Sequence, residues 1–305
     1  MDLRQLGYFV QVADLGSFTR AASVLRIAQP ALSRQVRALE VELRQRLFDR
    51  NGRGVTLTPA GKQLLDHGRG ILQQVERARQ ALEAERGAAT GLLSIGLPPS
   101  VGRELTAPLV EAFRERFPKA RLTLVEGLSS YMLEWLAQGR VDCAVVYSAT
   151  PATGLELQPV LDEALYLVSA RARPGGALVG RAASLAEVAA HELVIPSRPH
   201  ALRMRLETAL AEAGLAARVG LEVDSVPALL ELVQRHPLHA VLSLGAVRSS
   251  GHETAFRARP IGPPALTTTL WIATSAQRPR GPLLEQAVQL LRELLAARLG
   301  EAGAG

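Results

Sequence analysis

The chain has 305 residues, 48% of them hydrophobic, enough apolar material for two or three globular domains. Thirty-five Lys and Arg against 29 Asp and Glu leave a net charge of +6, which favours an anionic partner; only Lys62 and Lys119 among these bases are not arginine. A single cysteine, Cys143, excludes an internal disulfide, and the longest uncharged runs are broken by Pro and Gly. The expectation is therefore a soluble, cytoplasmic protein without a membrane span or signal peptide.

Leu3, Leu6, Phe9, Val10 and Val12/Ala13 predict a first amphipathic helix. Ser17 then caps a short helix with Ala21, Ala22, Val24 and Leu25 on its apolar side. Gln29 and Pro30 open a third helix, where the missing proline N–H costs nothing. Its Leu32, Val36, Leu39 and Leu43 repeat at helical spacing and face inward, which leaves Gln29, Ser33, Arg34 and Arg37 on the other face. A helix led by Gln, Ser and Arg suits base edges in a DNA major groove, although a solvated basic surface has the same composition. From Arg20 to Arg53 there are eight arginines against Glu40, Glu42 and Asp49. Asn51-Gly52, between two short β-type runs, predicts a hairpin turn with Arg50 and Arg53 placed for phosphate or minor-groove contact.

The segments LRQLGYFVQVADLGSFTRAA, AQPALSRQVRALEVELRQRLFDR and VTLTPAG resemble, in order and spacing, the winged helix-turn-helix of LysR-type transcriptional regulators. The resemblance implies that Gln29, Pro30, Ser33 and Arg34 face the groove while Thr19, Arg20, Arg37, Arg50 and Arg53 hold the backbone. Gly7 departs from the basic or polar residue common in the family, at a position that packs rather than reads.

Thr58 and Pro59 start a long helix in which Leu64, Gly68, Ile71, Val75, Ala78 and Leu82 form an a/d seam. A narrow seam with charged flanks and no neighbouring core predicts pairing with a second copy, as the family's linker helix also implies. A two-fold dimer would offer two reading heads to an inverted repeat in double-stranded DNA. The family resemblance extends the partners to a homodimer or homotetramer and to RNA polymerase. A Gly/Ala/Thr hinge follows at residues 87–91.

Beyond it, strand-like runs alternate with helices: LLSIGLP, a helix at 102–117, RLTLVEG, YMLEWLAQGR as a helix, and VDCAVVY. A second set follows with ALYLVSA, SLAEVAAH, ELVIPS, LRMRLETALAEAG, ARVGLEVDS, VPALLELVQR and HAVLSLG, then TTTLWIAT and a terminal helix. Parallel sheet flanked by helices is expected, in two α/β lobes joined near residues 161–164 and 264–269. This half resembles the effector-binding region of the same family, itself similar to periplasmic binding proteins. The expected fold class is thus α/β overall: an N-terminal winged helix-turn-helix (1–58), a linker helix and hinge (59–91), and a two-lobed α/β effector-binding region (92–305). Lobe I spans about 92–162 and 268–300, and lobe II about 163–267. GLPPSVG and LTLVEGLS resemble the branch of the family that governs nitrogen and sulfur assimilation.

Strand ends and helix starts nominate Ser100, Val101, Ser129, Tyr147 and Ser148 in the first lobe, and Ser197, Arg198, His200, Arg203 and Ser225 in the second. Hydroxyls with two arginines point to a small polar or anionic effector; each serine reads equally well as a helix cap. No Gly-x-Ser-x-Gly elbow, phosphate loop or dinucleotide fingerprint is present, so neither an enzyme nor a cofactor is expected. Cys143, Trp135 and Trp271 read as packing residues, and Pro237 makes a metal site at His236 and His239 improbable. Two other readings stay open: the same architecture without an effector, and a solute-binding α/β protein.

Overall fold

The computed structural model describes residues 1–51, 54–84, 91–147, 153–171, 177–278 and 280–299; the side chains of residues 50, 51, 77 and 80–84 lie outside that description. The chain divides into two compact units, residues 1–88 with 138–140 and the remainder.

The first unit opens with α1 (Leu3–Leu15), α2 (Phe18–Leu25) and α3 (Gln29–Leu43), followed by β1 (Phe48–Asn51), β2 (Gly54–Leu57) and α4 (Pro59–Ala84). Asp2 and Gln5 close a capping box on α1, the carboxylate accepting the Gln5 N–H at 2.7 Å. Ser17 Oγ accepts the Arg20 N–H at the start of α2. Leu6, Phe9, Val12, Ala21, Leu32, Val36 and Leu39 then bury together, at about 1.5–3 kcal/mol for each large side chain. Leu3 and Val24, expected on apolar faces, are instead 47% and 61% exposed. The core closes without them because Leu47 and Phe48 enter it from the wing, with Phe48 5.2 Å from Phe9 and 5.7 Å from Phe18 between ring centroids.

The hairpin signalled by Asn51-Gly52 is present, with β1 pairing antiparallel to β2. Asn51 pairs with Gly54, and residues 52–53 between them lie outside the described residues. Gly54 leads β2 with a φ of +148°, and a Cβ there would lie 3.0 Å from the Gly16 carbonyl, so the position suits glycine. Thr58 Oγ1 accepts the Gly61 N–H at 3.0 Å and donates to the Arg46 carbonyl, so it caps α4 and ties it to the head.

The second unit contains β3 (Gly91–Leu97), α5 (Pro99–Arg116), β4 (Ala120–Glu126), α6 (Ser129–Gln138), β5 (Cys143–Tyr147) and β6 (Leu155–Ala170). It continues through α7 (Leu185–Ala190), β7 (Glu192–Ile195), α8 (Ala201–Glu212), β8 (Arg218–Glu222) and α9 (Val226–Arg235). It ends with β9 (Ala240–Ser243), α10 (Leu244–Arg248), β10 (Phe256–Pro260), β11 (Thr267–Ser275) and α11 (Pro282–Leu299). In the first lobe β3 pairs in parallel with β4 and β5, and β11 runs antiparallel between β5 and the first part of β6. In the second lobe β9 and β10 flank the later part of β6, antiparallel to it, while β7 and β8 form a parallel pair joined to β9 by a bridge between Leu193 and His239. Helices α5 and α11 cover one face of the first sheet, and α6 covers the other.

One strand therefore serves both lobes, and only its second half, ALYLVSA, is visible as a strand in the sequence. Pro159 interrupts the pattern. Pro159 stands opposite Trp271, beside a register shift between Leu270 and Trp271 in the β6–β11 ladder. Helix α10 and strand β10 were likewise not expected from the sequence. Among the described residues no helix is long and apolar enough to cross a membrane.

Candidate DNA interface and inter-lobe cleft

Helix α3 presents Gln29, Pro30, Arg34 and Arg37 to solvent, with Ser33 half-buried beside them. Its N-cap is Ala28, whose side chain makes no cap hydrogen bond, so the leading N–H groups lack the local acceptor that Ser17 gives α2. Thr19 and Arg20 are exposed at the start of α2; the Arg20 guanidinium donates to the Leu15 carbonyl, which fixes its position. The side chain of Arg50, and Arg53 altogether, lie outside the described residues. Glu40, read only as a negative charge in the sequence, has a structural task. Its Oε1 accepts the N–H groups of Leu47 and Phe48 at 2.8 and 3.2 Å and so holds the wing against the end of α3.

The a/d seam of α4 is not uniform. Leu64 packs into the head's own core, a correction to the expectation that the whole seam lacks a neighbour. Gly68 is buried where α4 crosses α1; a Cβ there would lie 3.0 Å from Leu6. Farther along, Ile71 is 39% exposed, Val75 is half-buried and Ala78 is exposed, while the Leu82 side chain is outside the described residues.

In the second unit the carboxyl end of β5 and the starts of α5, α6, α8, α9 and α10 converge on a cleft between the lobes. Its inner cavity is about 30 Å³ and is lined by Ser100, Ser129, Tyr147, His200, Asp224 and Ser243 among others. An outer cavity of about 450 Å³ shares Ser100 and Asp224 and adds Arg103, Glu126 and Ser225. Ser100 Oγ lies 3.2 Å from the Tyr147 hydroxyl, and the Tyr147 N–H donates to Ser129 Oγ at 3.0 Å. His200 Nδ1 accepts the Leu202 N–H at 3.3 Å, and burial holds this imidazole below its usual pKa, so it acts as a neutral cap for α8. Asp224 Oδ1 accepts both the hydroxyl and the N–H of Ser197, at 2.6 and 2.8 Å, which keeps its carboxyl below the usual carboxylate range.

Several candidates are not where the sequence reading put them. Arg203 is 7% exposed and locked to Glu207 at 2.9 Å, Glu222 at 2.7 Å and the Pro196 carbonyl at 3.1 Å. Arg198 is exposed and pairs with Glu207 at 3.0 Å. Among the described residues neither lines the two cavities: Arg203 on α8 and Arg198 ahead of it are held by Glu207, and Arg203 also by Glu222 of β8. Val101 is a core residue of α5, 1% exposed, and Ser197 is committed to Asp224. Ser148 lies outside the described residues.

The residues missed are Asp224, Ser243 and, behind Tyr147, Glu163 and Glu104. Glu163 is 8% exposed; one oxygen shares a hydrogen bond with the Tyr147 hydroxyl, and Oε2 has no hydrogen-bond partner among the described residues. Burial raises its pKa to about 7, against the lowering effect of the Tyr147 bond and with a further push from Glu104. Burial also raises Glu104, offset in part by Arg248, and lifts the Tyr147 phenol well above its ordinary range. An acidic residue inside a β-type run, as Glu163 is beside ALYLVSA, was the available signal.

Cys143 is fully buried in the first-lobe core, and Trp135 of α6 and Trp271 of β11 pack against the cluster on the α6 side of the sheet. His239 stacks on His191 at 3.8 Å, not with His236, and no group of metal-binding side chains occurs among the described residues.

Residues 3–62 match the bacterial regulatory helix-turn-helix proteins of the lysR family, and residues 86–296 match the LysR substrate binding domain. The nitrogen assimilation regulatory protein nac of Klebsiella aerogenes is 38% identical over 97% of this chain and 94% of its own length. The protein of the same name from Escherichia coli K12 is 36% identical over 99% and 97%. The crystal structure of full-length CbnR complexed with its target DNA aligns over 96% of this chain and 100% of that one, with a TM-score of 0.72 at 24% identity.

Proposed function

Because the chain belongs to the LysR family and is a DNA-binding transcriptional regulator with a substrate-binding region, not an enzyme, we propose that two copies, paired through the long helix, read an inverted repeat in duplex DNA. A small polar effector bound between the lobes sets the spacing of the two heads. The relatives' part in nitrogen assimilation is carried to this chain as the physiological setting, with the cytoplasm as its location.

One observation carries the DNA reading. Gln29, Arg34 and Arg37 lie exposed on α3 while Leu32, Val36 and Leu39 bury its opposite face, so the helix is both rigidly held and free to dock. Gln29 and Ser33 discriminate bases; Thr19, Arg20, Arg37, Arg50 and Arg53 engage phosphates. An effector acts only through its differential affinity for the two arrangements of the lobes, hence of the heads. The small inner cavity, about 30 Å³, favours a second reading in which the C-terminal unit serves assembly alone.

The test is a titration of duplex DNA from just upstream of the gene's own start, at two salt concentrations, with random duplex as competitor. Competitor-resistant binding whose log–log salt slope is roughly −0.9 per phosphate neutralised is expected. Binding no tighter than to random DNA would refute sequence-specific reading at that site. A small-molecule screen by thermal shift separates the two readings of the C-terminal unit.

A further inference from the structure

The outer cavity of the cleft shares Arg103 and Pro227 with a further cavity of about 340 Å³. That further cavity has no lining residue in common with the inner one. Arg103 reaches it from α5 of the first lobe. Gln234 and Arg235 reach it from α9 of the second lobe, and Ser250 and His252 from the segment after α10. Leu230 and Phe256, 3% and 2% exposed, belong to the second-lobe core and give it an apolar wall.

Other arginines of this region are engaged with acids. Arg198 and Arg203 are held by Glu207 and Glu222, Arg235 by Glu231 at 2.7 Å one turn earlier on α9, and Arg248 acts on Glu104. Arg103 is exposed and makes no ion pair or hydrogen bond among the described residues. It lines two cavities of opposite charge. In the outer one it stands with Glu126 and Asp224, two acids against one base. In the further one Arg103 and Arg235 face Glu231 alone, so one positive charge is in excess. The first setting repels an anion and the second attracts it. Neutral donors stand beside that charge. The Gln234 amide has no partner among the described residues. Ser250 Oγ donates to the Val247 carbonyl at 2.6 Å and accepts the His252 N–H at 3.1 Å, which holds His252 at the cavity.

We propose that this further cavity is a second ligand site, separate from the inner cavity, which takes a small organic monocarboxylate. Its carboxylate rests on the Arg103 guanidinium and the Gln234 amide, and its apolar body lies against Pro227, Phe256 and the aliphatic stem of Arg235. One excess positive charge matches a monoanion, and the planar fork of a guanidinium matches a carboxylate. A volume of about 340 Å³ is that of a small-molecule site and more than a bare inorganic ion fills. Since Arg103 belongs to one lobe and Gln234 to the other, the bound anion ties the lobes together. The site goes beyond the effector-binding reading above and stands whether or not the inner cavity is filled.

The experiment uses the full chain and reads melting temperature and calorimetric affinity at equal pH and ionic strength. Butanoate and benzoate are the probes; butanamide, benzamide and butylammonium match them in shape and lack the negative charge. The carboxylates are expected to raise the melting temperature of the wild type and the other three to leave it unchanged. Arg103→Gln, at an exposed side chain with no partner to lose, is expected to weaken carboxylate binding about tenfold or more, the loss of a charge-assisted hydrogen bond. Gln234→Ala is expected to weaken it less, and Glu126→Gln, which lines the outer cavity alone, to leave it unchanged. Far-UV circular dichroism verifies that the variants are folded. Silence from both carboxylates, an equal response to the amides, or undiminished binding by Arg103→Gln overturns the proposal. Tighter binding by Glu126→Gln with no effect of Gln234→Ala also overturns it, because the anion then sits in the outer cavity. None of these results touches the inner cavity, so the effector-binding reading stands or falls on its own screen.

Discussion

Glutamine in place of Glu163 keeps the side-chain shape and removes its ionisation. The carboxyl is 8% exposed, and its pKa rises from 4.5 to about 7, through burial first, with the Tyr147 hydrogen bond opposing and Glu104 adding to the rise. The folded value lies above the unfolded one. Between the two, the native state therefore holds more protons than the unfolded chain, and stability falls as pH rises through that window. A lift from 4.5 to about 7, at about 1.4 kcal/mol per unit, amounts to about 3 kcal/mol of destabilisation once Glu163 is ionised. Wild type and Glu163→Gln should then be close in stability near pH 5. The variant should become the more stable of the two by up to about 3 kcal/mol at pH 8. Urea unfolding followed by tryptophan fluorescence measures this directly, since the two tryptophans, Trp135 and Trp271, both pack in the C-terminal unit. A difference between the proteins that stays constant from pH 5 to pH 8 would refute the assignment of a buried carboxyl with a raised pKa at this position.

Gln29→Ala should relax sequence preference by about 1–3 kcal/mol at the base pair it contacts, whereas Arg37→Ala should weaken all sequences alike and reduce the salt slope by about one. Equal losses on specific and random DNA for Gln29→Ala would sink that division of roles. Glu40→Ala strips the acceptor from the Leu47 and Phe48 N–H groups and should destabilise the head by about 1–3 kcal/mol in thermal melts; an unchanged transition would contradict the wing tie. Ile71→Glu places charge on the exposed part of the α4 seam and should shift sedimentation toward monomer, while an intact assembly would exclude Ile71 from the interface.

The DNA-reading head was almost fully legible in the sequence because its determinants are local. Ser17, Pro30 and Thr58 mark helix starts, and the spacing of Leu32, Val36 and Leu39 already fixes which face of α3 stays exposed. Where local reading failed, a tertiary partner had intervened. Val24 is not needed once Leu47 and Phe48 fill the core. Leu64 finds its neighbours in the head before any second copy is considered.

The cleft is the opposite case. Strand ends and helix starts nominated Ser100, Ser129, Tyr147 and His200, and these four line one cavity, since parallel α/β topology puts such positions on one side of a sheet. The charge of the site could not be read that way. Whether an arginine is available depends on acids that meet it in space: Arg203 is taken by Glu207 one helical turn away and by Glu222 from a separate strand. The dryness of Glu163 depends on β6 running through both lobes across Pro159, where the sequence pattern breaks. The amino-acid sequence by itself determined the family, the buried and exposed faces of α3 and the alternation of strands and helices, because caps and periodicity act over a few residues. Only the tertiary structure decided which charges the cleft keeps, because solvation and pairing are set by chain segments far apart in sequence.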